Sequence, residues 1–287
     1  MFVIYKKELQ GYFNGMMGYV FIAFALAIIG VYLTAVNLTQ AYPNFEYVLD
    51  SVRFLFILLM PVLTMRTISE ERRQRTDQLL YSSPISTWAV VGGKFLASLT
   101  VFAIPLLISC VYPILLKQFG IVNLKTAYAG ILGFLLMGGA AIAIGVFVSA
   151  LCESQMVAAV ASFAMLLICY LMPNLAKMVS PSAMASAIGF SLLFLLVAYF
   201  LYSTTKNKLL AAGTGLCGMG AMAALYFLKP TMLEGSFNAA LNALSVFQRY
   251  DTFIYGMLDL RSIVYFITII ALFIFFTVQV IEKRRWA

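Results

Sequence analysis

Residues 126 to 176 read TAYAGILGFLLMGGAAIAIGVFVSALCESQMVAAVASFAMLLICYLMPNLA, and Glu153 is the only charged residue between Lys125 and Lys177. About 20 consecutive apolar residues cross the hydrocarbon core of a bilayer as a helix. The stretch therefore predicts two crossings, about Thr126 to Leu151 and roughly Met156 to Met172. A tight turn at Cys152-Glu153-Ser154-Gln155 joins them, and Pro173, which lacks the N–H a helix needs, is expected to stop the second. This hairpin sets the fold class: all-α and polytopic in a membrane.

The same signature recurs outward from it. Residues 9–45, 95–116, 178–205, 209–228 and 262–281 carry no charge either. Over the whole chain 63% of residues are hydrophobic and 10% charged, where a soluble domain is about a quarter charged. A water-soluble enzyme is thereby excluded. The remaining spans are expected at about Gly18–Val36, within Phe45–Met65, at Trp88–Leu116, Ala185–Tyr202, Leu209–Leu228 and Ser262–Ile281. That makes about eight transmembrane helices in one domain, with both termini on one side.

Arg53 falls inside the second span, and at mid-bilayer it would cost about 2.5–3.5 kcal/mol on insertion scales. It is therefore expected near the outer surface, snorkelling or facing protein. Residues 2–16 put Phe2, Tyr5, Leu9, Tyr12, Phe13 and Met16 on one helical face and Lys6, Lys7 and Glu8 elsewhere, as in an amphipathic helix lying on the membrane. Residues 229–261 read as an amphipathic extracytoplasmic loop. Gly213, Gly215, Gly218 and Gly220 would let another helix approach the seventh span closely.

Charge gives the orientation. With the N-terminus inside, Lys6, Lys7, Arg66, Arg72, Arg73, Arg75, Lys94, Lys206, Lys208, Lys283, Arg284 and Arg285 are cytoplasmic, twelve of the 19 Lys and Arg. The net +8 then reflects topology in a membrane, and no nucleic-acid partner is needed to explain it. Histidine is absent, which removes imidazole relays, His-based nucleophilic catalysis and the usual imidazole metal sites. Cys110, Cys152, Cys169 and Cys217 stand singly in apolar segments, as small buried hydrophobes do. No catalytic or metal-binding set is expected.

The longest charged segment runs from Arg66 to Ser86 and contains Arg66-Thr67-Ile68-Ser69-Glu70-Glu71-Arg72-Arg73-Gln74-Arg75-Thr76-Asp77. Thr67 with Glu70 three residues on has the form of a capping box, which predicts a new helix as the second span ends. Glu71 and Arg75 are spaced for an i,i+4 pair. Pro84 ends the excursion, and Ser86 or Thr87 can cap the third span. A plain anchoring loop would need only Lys and Arg. The interleaved acids Glu70, Glu71 and Asp77 suggest a surface for a charged protein partner.

In this segment the sequence resembles the permease subunits of type-2 ABC transporters, notably the branch of gliding-motility and nitrous-oxide-reductase-maturation permeases. Thr64-Met65-Arg66, Ser69-Glu70-Glu71-Arg72, Thr76, Leu79-Leu80 and Pro84 carry the likeness; Arg75 stands where the family usually has Gly, and Asp77 is displaced by one from the acid position. Lys6-Lys7-Glu8-Leu9 through Gly18-Tyr19-Val20-Phe21 is similar to the family's N-terminal elbow. Ser149-Ala150-Leu151 to Gln155, with Glu153, resembles its second short cytoplasmic contact. Gly256-Met257-Leu258-Asp259-Leu260 and the closing Glu282-Lys283-Arg284-Arg285-Trp286 resemble its last span. Family permeases commonly have six spans, so about 183–228 looks like an extra hairpin.

The resemblance implies an exporter permease whose 66–86 segment is a coupling helix docked on a separate ATP-binding subunit. Arg66, Ser69, Glu70, Glu71, Arg72, Arg75, Thr76, Asp77 and Glu153 would form that contact, with Glu70 and Glu71 meeting basic residues of the ATPase. Arg72 and Arg75 suit lipid phosphates equally well. Two ATPase copies, a second permease chain (identical or related), an extracytoplasmic accessory protein and membrane lipid are the implied partners. ATP and Mg belong on the ATPase, because the only Gly-Lys here, Gly93-Lys94, lacks the rest of a phosphate-binding loop. The alternative is an ion-coupled secondary transporter, which would place acids inside its spans; none is expected in them.

Overall fold

The structure, a computed structural model, describes residues 1–40, 42–75, 85–205 and 230–285, and residues 213, 214, 216, 218–220, 222, 223 and 226 between them. Thr76, Asp77, Leu79, Leu80 and Pro84 lie outside the described residues, as do Cys217 and much of the expected seventh span. The described residues form helices and no strand: α1 (Phe2–Asn14), α2 (Met17–Leu33), α3 (Glu46–Thr64), α4 (Ser69–Arg73), α5 (Thr87–Ser109), α6 (Val111–Leu116), α7 (Leu124–Leu151), α8 (Gln155–Met178), α9 (Ala183–Thr205), α10 (Pro230–Leu233), α11 (Ser236–Ala243), α12 (Asp251–Ile254) and α13 (Leu260–Arg285). Six helical stretches among them are long and apolar enough to cross a membrane: 17–39, 46–73, 87–116, 124–151, 155–178 and 260–285. The protein is a multi-pass membrane protein.

Several boundaries differ from expectation, each for a local reason. The first span continues α2 through a wider π-helical turn at Thr34–Thr39. Pro173 does not stop α8, which runs to Met178. Membrane helices tolerate proline because packing and local adjustment re-satisfy the freed carbonyl. The last helix carries its basic cluster as a final helical turn, to Arg285, instead of ending at Ile281. The 229–261 segment is built of α10, α11, a 3-10 turn at Gln248–Tyr250 and α12.

The chain divides into two compact units, residues 1–168 with 249–287, and residues 169–248. In the first unit α7 is the central helix. α3, α5 and α13 pack on it, and α1 and α2 lie outside them. Glycines on α7 set these distances: a Cβ at Gly138 would collide with the ring of Phe102, and one at Gly145 with the Thr64 side chain. Such small-residue surfaces are how membrane helices pack in the absence of a hydrophobic drive between them. Phe56 and Phe134 meet edge to face with centroids 5.0 Å apart, and Phe134 meets Tyr250 at 5.6 Å. In the second unit, the Asn238 amide donates to the carbonyls of Ala176 and Val179, both at 3.0 Å, and so closes the end of α8. Phe237 packs against Phe190 and over Gly189.

The expectation that the spans hold no acid is not met. α3 begins with buried Glu46 and includes Asp50 and Arg53. Arg53 faces protein, pairing with Asp251 at 2.6 Å and Asp50 at 3.2 Å, with its guanidinium 5.9 Å from the Tyr250 ring. The charge in the span is thus held by carboxylates at one end of the unit. At the opposite end, Met1 packs on Gly92 and Gly93 of α5, and Arg284 of α13 donates to the carbonyl of Ala150 at 2.7 Å.

Candidate functional site

The charged segment after α3 is a short helix pinned to its neighbours along one edge. Thr67, Ile68 and Ser69 are buried, whereas Arg73, Gln74 and Arg75 are exposed. The expected capping box is not formed. Ile68, and not Thr67, precedes α4, and the Thr67 hydroxyl turns back to the carbonyl of Thr64. The cap comes from another helix. Ser149 Oγ of α7 lies 3.2 Å from the amide nitrogens of both Ile68 and Ser69, accepting from them, and donates to the carbonyl of Met65 at 3.2 Å. First-turn amides have no intrahelical acceptor, so an outside oxygen satisfies them as a local cap would.

Glu70 is held by Arg66 in a two-pronged pair, Nε to Oε2 at 2.6 Å and Nη2 to Oε1 at 2.8 Å. Hydrogen bonding to the guanidinium keeps the Glu70 carboxyl below the usual carboxylate range. Glu71 does not pair with Arg75, because α4 ends at Arg73. It lies 2.9 Å from Lys94 Nζ and 3.8 Å from Lys7. Lys94 is 2% exposed; its ammonium donates to Glu8 of α1 at 2.9 Å and to the carbonyl of Thr67 at 2.6 Å, and the Glu71 carboxylate lies 2.9 Å away as an ion pair. Next to it the Tyr12 hydroxyl, 3.0 Å from the carbonyl of Leu63 and 2.9 Å from Ser98 Oγ, ties α1 to α3 and α5. Burial pushes that hydroxyl well above its ordinary range, so it stays neutral.

The turn between α7 and α8 completes the site. Arg72 reaches Glu153 at 2.6 Å, and Arg72 and Arg284 both approach the carbonyl of Leu151 at 3.4 Å, where cations suit the negative end of α7. Of the residues singled out in the sequence, Arg66, Ser69, Glu70, Glu71, Arg72 and Glu153 thus come together. Lys94 counts among the cytoplasmic charges by its place in the sequence; the structure buries its side chain, and Ser149, Tyr12 and Glu8 join the site. Lys94 had a sequence signal, a lone charge within two turns of the start of an apolar helix and next to two glycines. Ser149 had none beyond its place before the turn.

Arg75 adopts φ +56°, a left-handed conformation that costs an L-residue about 1–2 kcal/mol and that glycine takes freely. Arg75→Gly should therefore stabilise the protein by about 1 kcal/mol before the unfolded-state entropy of glycine offsets part of it. Arg75→Val should destabilise it. Opposite shifts of the thermal midpoint in detergent would bear this out, and equal shifts would refute it.

A family model described as ABC-2 family transporter protein matches residues 29–189, more than half of the chain and including α4, Lys94 and Ser149. No curated protein and no solved structure matches the chain.

Proposed function

The chain belongs to the ABC-2 transporter family, and on that premise we propose that it is the permease subunit of an ATP-driven exporter, moved by a separate ATPase chain that docks on α4. The motif from Thr64 to Pro84 supports kinship with the gliding-motility and nitrous-oxide-reductase-maturation permeases. The observation that carries the docking surface is the two-sided character of α4. Its inner edge is fixed to α5 and α7 through Lys94 and Ser149, and its outer edge offers Arg73, Gln74 and Arg75, with Glu153 close by.

In this reading Glu70 and Glu71 hold the helix in place, and Arg72, Arg75 and Glu153 meet the ATPase, together with Thr76 and Asp77. α1 is the elbow helix lying on the cytoplasmic face. Two ATPase copies carry the ATP and Mg, a second permease chain pairs with this one, and an extracytoplasmic accessory protein completes the assembly. Both termini face the cytoplasm of a bacterial inner membrane, where the basic residues of α4 and of the end of α13 satisfy the positive-inside rule.

Arg73→Glu with Arg75→Glu tests the surface without touching the pinned edge. Capture of the solubilised chain by its ATPase should fall at least tenfold, with the melting midpoint of the permease unchanged. Undiminished capture would remove α4 as the docking surface. Ion-coupled transport, the other reading, draws on buried Glu46. It would require that transport persist when the ATPase is inactivated and stop in Glu46→Gln.

A further inference from the structure

Beside α4, a polar cavity opens into an apolar groove, and Arg66 and Met17 line both. The cavity, about 160 Å³, is walled by Glu8, Gly11, Tyr12, Arg66 and Glu70. Bulk water takes about 30 Å³ per molecule, so this is room for a small polar group and not for one buried water. The groove, about 430 Å³, runs between α2 and α3 past Val20, Phe24, Leu59 and Val62. Val20, Phe24 and Val62 are 66%, 54% and 41% exposed, so its wall belongs to an outward apolar face. A polar chamber continued by an apolar trough on such a face has the shape of a lipid site.

The charges select the lipid. Arg66 spends Nε and Nη2 on Glu70, but among the described residues Nη1 meets only the Met17 thioether at 3.7 Å, a weak acceptor for a guanidinium. Nη1 sits where the chamber and the groove join, the place of a phosphodiester whose acyl chains lie in the groove. Within the chamber Glu8 gives one oxygen to Lys94, and its other oxygen takes no hydrogen bond among the described residues. Glu8 and Glu70 are balanced by Lys94 and Arg66, so a zwitterionic headgroup suits the chamber better than a net anionic one. The open Glu8 oxygen favours a headgroup that can donate hydrogen bonds, as a primary ammonium can and a quaternary ammonium cannot.

We infer that this is a binding site for one bilayer phospholipid with an ethanolamine headgroup, its phosphate on Arg66 and its ammonium on the open oxygen of Glu8. The site rests on residues of this chain alone and is independent of the docking of an ATPase.

Gly11 provides the test. A Cβ there meets nothing within 4 Å, so a side chain at position 11 fills the chamber without disturbing α1. Gly30 on α2 is equally open and lies outside the site, which makes it the matched control. The protein is incubated with an equimolar mixture of phosphatidylethanolamine, phosphatidylcholine and phosphatidylglycerol, then washed and read by native mass spectrometry. The expected result is one phosphatidylethanolamine per chain, at least tenfold over the other two lipids. Retention should be lost in Gly11→Phe and weakened in Val62→Trp, which narrows the groove, but kept in Gly30→Phe. The absence of a headgroup preference, a preference for phosphatidylglycerol, retention by Gly11→Phe, or equal loss in both glycine variants would each overturn the assignment.

Discussion

Replacing Lys94 with Met is expected to lower the stability of this protein by about 3–5 kcal/mol, the cost of removing one partner from a buried ion pair. Met matches the lysine stem in length and fills the same space, so the loss is electrostatic. Glu8 and Glu71, with side chains 18% exposed, would lose the ammonium between them, Glu71 retaining only the more distant Lys7, and the carbonyl of Thr67 would lose its donor among the described residues. A carboxylate that loses its partner in a poorly solvated site bears much of its desolvation cost. At about 2–4 °C per kcal/mol for a chain of this size, the melting midpoint should fall on the order of 10 °C. Lys94→Met combined with Glu8→Gln and Glu71→Gln should recover much of that fall, because the orphaned charges go with the lysine. A single variant melting within about 2 °C of the parent would show that the triad is solvated and adds little. Lys94 also joins α1, α4 and α5 at one point, so the single variant should show α1 released as well, as faster proteolysis or amide exchange over residues 2–14.

Much of the first unit was legible in the sequence because membrane insertion leaves a crude and strong signal. Charge-free intervals of 20 residues or more marked the membrane-length helices other than α3, which carries Glu46, Asp50 and Arg53, and Ser86 caps α5 as its position suggested, accepting from the amide of Ala89. Legibility failed where a polar group acts across helices. The Thr67–Glu70 spacing fits a capping box, yet Ser149, 80 positions further along the chain, supplies the oxygen, and Arg66 claims Glu70. A local pattern states only which partners are near in sequence, and a packed helix surface can offer better ones. The same holds for Arg53, whose residence in a span was the least comfortable feature of the sequence. Its partner Asp251 comes from a short helix nearly 200 positions away. Lys94 misled in the opposite direction. A lysine near the end of a span usually anchors at the headgroups, but Gly92 and Gly93 bring α1 down onto α5 and bury the ammonium beneath it.

Ser149→Ala carries the other large effect, and its sign follows from counting donors. Ser149 is fully buried, and its hydroxyl serves the amides of Ile68 and Ser69 and the carbonyl of Met65. Ile68 and Ser69 are themselves 4% and 0% exposed, so water cannot replace the lost acceptor without opening the contact. Each buried amide left unmet costs about 1–3 kcal/mol, which puts the total at about 2–6 kcal/mol. That is enough to detach the start of α4 while the bundle around α7 persists. The loss should therefore be local first: exchange of the Ile68 and Ser69 amides should accelerate at least a hundredfold, with the amides in the middle of α7 protected as before. Ser149→Thr, which keeps the hydroxyl, should restore protection. If Ser149→Ala leaves the two amides as slow as in the parent, α4 is held by the Lys94 triad and the Arg66–Glu70 pair alone. If the whole molecule exchanges faster, the serine secures the bundle and not the helix, and α4 could not be shifted by an ATPase without unfolding its support.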